Sequence, residues 1–246
     1  FAPSISGFSG SGDVHTATVT YGTDGDYTFD VEYTDMAGNA AADYTPDVFT
    51  VDLTEPEIEI TDVADKSANN DVVSPNVKAT DVNYDAKNVT VTITGANNGK
   101  VNMGNVVSAI ENGQTIKFND FARQERLDDL YTLTVKAADL AGNEKEETIC
   151  FSVNRYGSVY VLDNDTKDWL DIRGYSYVNE EREVGVIEYN VDTIKDSQII
   201  LDRDGQLKRL KEKKDYKVTR YAAQARWEKN HYVLSAGNFG MEGHYT

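Results

Sequence analysis

One cysteine, three histidines, four prolines and two tryptophans are all that the 246 residues contain of these types. Each scarcity removes a class of protein. A lone Cys150 cannot form an intramolecular disulfide, so a disulfide-built scaffold is excluded. His15, His231 and His244 lie far apart, without the spacing of a zinc site, and no Ser-His-Asp arrangement can be assigned from them. No apolar run approaches the ~18 residues of a membrane helix, so no membrane insertion is expected in this segment. Positive charge is also short. Against 42 Asp and Glu there are 24 Lys and Arg, a net charge of −18 and a pI near 4.5. Such a surface repels phosphate backbones, so nucleic acid is not an expected partner, and it resists self-association.

What is present is a globular composition, 39% hydrophobic and 27% charged, too rich in apolar residues for disorder. Its organising feature is a repeat of domain size. Asp128 to Asn143 (Asp-Asp-Leu-Tyr-Thr-Leu-Thr-Val-Lys-Ala-Ala-Asp-Leu-Ala-Gly-Asn) has a twin in Asp24 to Asn39, 104 positions earlier. A third copy opens at Met241-Glu242-Gly243-His244-Tyr245. In the second copy Tyr131, Leu133, Val135 and Ala137 alternate with Thr132, Thr134 and Lys136, the period of a half-buried strand. Tyr27, Phe29, Val31 and Tyr33 do the same in the first. Each run ends in Asp-x-Ala-Gly-Asn, where glycine supplies positive φ and Asp and Asn bond back to the backbone. Thr148 to Val153 and Val48 to Val51 read as the returning strands of two hairpins.

Taken in order, residues 1–52 read as the C-terminal part of a β domain, with strands over Val14 to Tyr21, from Tyr27, and to Val51. Asp52-Leu53-Thr54-Glu55-Pro56 is a short, stiff junction. Residues 53–154 hold a full count of strands: Glu57 to Thr61, Asn76 to Asp81, Asn88 to Thr94, Lys100 to Met103, Thr115 to Asn119, Tyr131 to Ala138 and Glu147 to Val153. Seven short strands in about a hundred residues is the pattern of an immunoglobulin-like sandwich. Asn97-Asn98-Gly99 signals a hairpin, Asp129 and Tyr131 suit a tyrosine corner, and Phe121 to Leu130 has room for a helical turn. Residues 155–246 read as a further domain of this kind lacking its last strands. Its expected strands are Val159 to Asp163, Val184 to Val191, Ser197 to Asp202, Tyr216 to Arg220 and Tyr232 to Ser235, with Asp204-Gly205 as a turn. The fold class is therefore all-β, tandem immunoglobulin-like β-sandwiches. The chain opens on Phe1 and stops as a strand begins, so it is expected to be a segment of a longer polypeptide that continues into another Asp-x-x-Gly-Asn turn.

Chemistry-bearing residues are few, and no catalytic, cofactor-binding or metal-binding residue is assigned. Cys150 is a strand residue pointing outward, with no base beside it. Asp163-Asn164-Asp165-Thr166-Lys167-Asp168 fails the EF-hand pattern, because Lys167 occupies the fifth position and no glycine follows. Gly7 to Gly12 lacks the Lys-Ser/Thr of a phosphate loop. Lys208 to Lys214 is the one basic run and reads as a solvated strand end. The fifteen tyrosines, Trp169 and Trp227 offer possible sugar platforms, Trp227 being the best candidate for an exposed ring.

The Tyr-x-x-x-Val-x-x-x-Asp-x-Ala-Gly-Asn hairpin, the closing Phe-x-Val and the Thr-x-Pro linker resemble the bacterial Ig-like repeats of large secreted proteins. Phe151 to Tyr160 and the tail with Asn238-Phe239 and Glu242 to Tyr245 resemble domain junctions of multi-repeat, Clostridia-type Gram-positive surface proteins. The first junction departs slightly, with Glu55 where alanine often precedes the proline. The resemblance implies an extracellular, cell-surface or cell-wall location, where cysteine is also avoided. It further implies a non-catalytic stalk or spacer, adhesive to an unidentified host or glycan surface, whose neighbours are further Ig-like domains. An accessory carbohydrate-binding or spacer module of a secreted glycoside hydrolase is the alternative. A calcium-dependent adhesion module is a third reading, with Asp62, Asp65 and Asp139 as conceivable ligands and clustered Asp side chains at the 52–56 or 154–158 junction as its signature. Related adhesins also carry Lys–Asn isopeptide bonds beside a buried acid, which a sequence cannot reveal.

Overall fold

The computed structural model describes residues 3–12, 14–42, 47–171, 174–190, 197–221 and 228–246. Its first part is a set of short two-stranded pairings. Strands β1 (Ser4–Ile5), β2 (Ser9–Ser11), β3 (Val14–Thr16), β4 (Val19–Thr20), β5 (Gly25–Tyr27) and β6 (Phe49–Val51) pair as β1-β4, β2-β3 and β5-β6. The strand expected from Tyr27 onward ends at Tyr27. Phe29, Val31 and Tyr33 are 44%, 49% and 66% exposed. Alternation alone does not make a strand, because the apolar face needs a cover and the backbone a neighbour.

The second part has both. It comprises β7 (Glu57–Thr61), β8 (Ser67–Asn69), β9 (Asn76–Thr80), β10 (Tyr84–Gly95), β11 (Gly99–Val101), β12 (Asn105–Ile110), β13 (Gly113–Phe118), β14 (Asp129–Asp139) and β15 (Glu144–Val153). They form a five-stranded sheet, β11-β10-β14-β15-β8, facing a four-stranded sheet, β12-β13-β9-β7. All pairs are antiparallel except β15 with β8. This is an immunoglobulin-like sandwich. Its core holds Val73, Val77, Ile93, Phe118, Phe121, Tyr131, Leu133, Val135, Phe151 and Val153. Each such fully buried side chain contributes about 1.5–3 kcal/mol. Strands β8 and β12 were not expected. Every residue of β12 is exposed, so it carries no period-two signal. The helical turn expected between Phe121 and Leu130 is a 3-10 turn at Glu125–Leu127.

The third part contains β16 (Val159–Leu162), a helical turn α1 (Asn164–Lys167), β17 (Val184–Tyr189), β18 (Ile200–Arg203), β19 (Gln206–Arg209), β20 (Tyr216–Arg220) and β21 (Glu228–Leu234). Its sheet runs β16-β17-β21-β20, and the β18-β19 hairpin turns at Asp204-Gly205. Leu201 and Leu210 from the hairpin side pack with Tyr216, Tyr232 and Leu234 from the sheet. Strand β16 lies beside β17 and β17 beside β21, as β7, β9 and β13 lie side by side in the sandwich before it. Strand β17 ends at Tyr189, short of the expected Val191, which itself lies outside the described residues.

The three copies of the repeat share one hydrogen bond. Tyr131 Oη donates to the Leu127 carbonyl at 2.7 Å, Tyr27 Oη to Thr23 at 2.9 Å and Tyr245 Oη to Met241 at 2.7 Å. Each is a tyrosine corner spanning four residues. The corners also meet equivalent neighbours. Tyr131 pairs with Gly95 at the end of β10, and Tyr245 bridges to Arg203 at the end of β18. Tyr27 pairs with Phe49 as Tyr131 pairs with Phe151. The Asp-x-Ala-Gly-Asn turns are likewise built alike. Asp139 accepts from the Gly142 and Asn143 N–H groups and from Asn143 Nδ2, while Asp35 accepts from Ala37 and Asn39 N–H and Asn39 Nδ2.

Because the Tyr131 ring is fully buried, Tyr131→Phe leaves packing intact and removes the hydroxyl's bond to the Leu127 carbonyl together with the long one it accepts from Asn98 Nδ2 at 3.4 Å. Urea unfolding should show a loss of about 0.5–1.5 kcal/mol. No loss would mean the corner is ornamental.

Candidate functional site

Both places where one part of the chain passes into the next are built from acids that accept backbone N–H groups. Asp24 and Asp128 occupy equivalent positions ahead of their tyrosine corners. Asp24 accepts from the Leu53 N–H at 2.8 Å and from the Thr54 hydroxyl. Asp128 Oδ2 accepts from the Tyr156 N–H at 2.7 Å. Each acid thereby pins the chain just after its own domain's last strand.

At the first junction Asp52 follows β6. Its Oδ2 accepts from Asn83 Nδ2 at 2.7 Å and its Oδ1 from the Thr54 N–H, while its own carbonyl accepts from Asn143 Nδ2. Carboxylate oxygens of Asp52, Asp81 and Asp139 lie within 4.8 Å of one another. Asp81 comes from the β9–β10 turn and Asp139 from the end of β14, at one end of the sandwich. Burial raises the Asp81 carboxyl above its ordinary value; the Asn83 N–H offsets part of this, and the charges of Asp52, Asp139 and Asp24 add to it. Burial works against ionised Asp139 too, but the Asn143 side chain and the Asn143, Gly142 and Ala141 N–H groups outweigh it and hold that carboxyl low. Three carboxylates with oxygen donors alone could take a hard cation such as Ca²⁺. Their existing N–H partners already satisfy much of the same capacity.

The second junction uses other chemistry. Asn154, equivalent to Asp52, is 3% exposed and donates from Nδ2 to the Tyr189 carbonyl of β17 at 3.1 Å. The Arg155 guanidinium, 4% exposed, pairs with Asp120 at 2.5 Å and donates to the carbonyls of Asp71 and Phe121. Asn97 Nδ2 donates to the Tyr160 carbonyl at 2.9 Å. Leu130 packs against Val159, Val161 and Tyr189.

Of the three conceivable calcium ligands, only Asp139 belongs to the acid cluster. Asp65 accepts from the Cys150 N–H along the sandwich, and Asp62 sits at φ 66° in the turn after β7. Asp52 carries the signature expected at the 52–56 junction. Asp81 was missed, since its only local signal is the Asx turn it makes with the Asn83 N–H. Asp163 caps α1 through the Thr166 N–H and pairs with His231 Nε2 at 2.8 Å. Cys150 meets Thr132 on the outer face. In the basic run, Lys208 bonds Asp215 and Asn238, and Leu210 is buried. Trp169 lies under the Arg182 guanidinium, 5.6 Å from ring centroid to Cζ, and Trp227 lies outside the described residues. One buried acid was not foreseen. Glu188, 1% exposed, accepts from the Tyr160 and Tyr232 phenols and from Asn230 Nδ2. An isopeptide site needs a lysine amine beside such an acid, and among the described residues the donors to Glu188 are two phenols and an amide.

No family model matches the chain, and no curated protein matches it. Among solved structures, a tandem of titin immunoglobulin domains is similar to it at 9% identity, over 74% of this chain and 81% of that one, with a TM-score of 0.27.

The opposed shifts in the acid cluster set opposed pH dependences. Asp139, held low, stabilises the fold above its unfolded value and loses that contribution as pH falls through its folded value. Asp81, raised, does the reverse: its neutral form is favoured, and the advantage disappears as pH rises through its folded value. In chelator at neutral pH, Asp81→Asn should raise stability by a few tenths to about 1 kcal/mol in thermal unfolding. The gain should vanish below the ordinary carboxylate value of 3.8. A loss of stability in Asp81→Asn without chelator would show that a cation holds the carboxylates together.

Proposed function

We propose that the chain is a non-catalytic spacer segment of a bacterial extracellular multi-domain protein, its immunoglobulin-like units held in line to set a distance from the cell surface. The observation that supports this reading best is the repeated junction tether. Asp24 and Asp128, one repeat apart, each accept a hydrogen bond from the N–H that leads into the next unit. A spacer needs its linkers fixed, and linkers this short and hydrogen-bonded transmit direction from one unit to the next. At the second junction, the buried Arg155 and the Leu130 contact give the same role to different chemistry. Surface attachment and any adhesive partner follow from the resemblance of the repeats to surface-protein modules.

Small-angle scattering tests the mechanical part of the proposal. The native chain should fit one arrangement of its second and third units. Arg155→Ala and Leu130→Lys should broaden the distribution of distances, and Arg155→Ala should cost at least about 1.5 kcal/mol through its charged hydrogen bonds. Native scattering that already requires a broad ensemble would refute the fixed-spacer reading.

A further inference from the structure

Strand β12 is an unprotected sheet edge. It ends the order β12-β13-β9-β7, and its six residues, Asn-Val-Val-Ser-Ala-Ile, are all exposed, Val106 at 61% and Val107 at 56%. Edges are ordinarily guarded by charge, proline, a bulge or shortness. The other edges of this sandwich are guarded in these ways. Strand β7 carries Glu57 and Glu59, β11 carries Lys100, and β8 is three residues long. Strand β12 has neither charge nor proline, in a chain of net charge −18.

The ladder identifies which of its backbone groups are free. Phe118 N–H donates to Pro75, toward β9, while Asn119 N–H donates to Gly104, toward the β12 side. The groups of β13 alternate from there, so Lys117 and Thr115 bond to their partners Val106 and Ser108. Asn105, Val107 and Ala109 therefore present their N–H and C=O outward. On the inward side, Val107 borders a groove of about 500 Å³ between the two sheets, whose lining mixes apolar side chains such as Val91 and Ile116 with Lys100, Asn102 and Gln114.

We propose that β12 is a self-association strand, pairing antiparallel with β12 of a second copy of this chain. The pattern is self-complementary. With a twofold axis at Val107, that residue faces the partner's Val107, and Asn105 faces the partner's Ala109. The three outward residues on each strand then exchange about six backbone hydrogen bonds. Twin pairing sets every residue against its own kind of strand, so charge decides which edge can do it. Pairing β7 with itself would oppose glutamates, and pairing β11 with itself would oppose lysines, whereas β12 opposes none. The acidic surface as a whole still repels a second copy, so association tightens as salt screens it. The result joins two four-stranded sheets into one and ties neighbouring chains side by side.

Sedimentation equilibrium of the whole chain tests this. The expected result is a reversible dimer whose dissociation constant falls as ionic strength rises from about 0.05 to 0.5 M. Ala109→Pro removes one outward N–H and no bond to β13, and should leave a monomer with unchanged far-ultraviolet circular dichroism. Val107→Lys places two cations opposite one another on the axis and should weaken the dimer by about tenfold or more. Should Ala109→Pro misfold, Val107→Lys decides, since its side chain is more than half exposed. A native chain that stays monomeric throughout, or a dimer that withstands Val107→Lys, overturns the proposal.

Discussion

A phenol buried beneath a chain reversal governs the sandwich. Tyr131 places its ring in the core against Phe121, 4.6 Å between centroids, and its hydroxyl must find an acceptor there. The Leu127 carbonyl, at the end of the 3-10 turn, is that acceptor. One bond thus fixes where the turn stops and β14 starts. Since β14 lies between β10 and β15, its start sets the register of both neighbours. Asp129 reinforces the point from the other side. Fully buried, it accepts from the Asn97, Asn98 and Leu130 N–H groups, locking the β10–β11 turn to the same corner. Burial pushes its carboxyl up against those donors. Gly95 is obligatory beside it, because a Cβ there would stand 2.3 Å from Asp129 Oδ2.

The same economy explains the acidity of the chain. Many of its aspartates end loops by accepting N–H groups that no strand can satisfy. Asp35 and Asp139 close the Gly-Asn turns, Asp163 caps α1, and Asp215 accepts from the Lys211 N–H while pairing with Lys208. A carboxylate offers two oxygens to several donors, and the charge is incidental to most of these tasks. Where three such acids converge, at Asp52, Asp81 and Asp139, the charges become a local liability.

How much of this is legible in the sequence depends on burial. Strands with one buried face, such as β14 with Tyr131, Leu133, Val135 and Ala137, announce themselves by alternation. So do the corner tyrosines and the Asp-x-Ala-Gly-Asn turns, which are local. Strand β12 leaves no such trace, since its residues are exposed on both faces. Phe29, Val31 and Tyr33 mislead in the opposite sense, showing the pattern of a strand that the structure ends at Tyr27. The candidate site was half visible. Asp139 stands out through its repeat and Asp52 through its junction. Asp81 joins them only because β9 and β14 finish at the same end of the sandwich, a fact of topology rather than of spacing.

Asp52 and Asn154 sharpen the difference between the junctions. Both follow a Phe-x-Val strand end, and both sit where one unit gives way to the next. The amide can donate, so Asn154 reaches the Tyr189 carbonyl directly, and Arg155 beside it supplies the only kind of group able to satisfy several carbonyls and Asp120 at once. The carboxylate cannot donate. Asp52 must instead draw donors to itself, from Asn83 and Thr54, and accept the proximity of two further acids. Equivalent positions in a repeat have thus been given opposite hydrogen-bonding roles. The second junction carries its own positive charge, whereas the first gathers acids. An added cation would therefore meet uncompensated carboxylates at the first junction, whereas at the second Arg155 already neutralises Asp120.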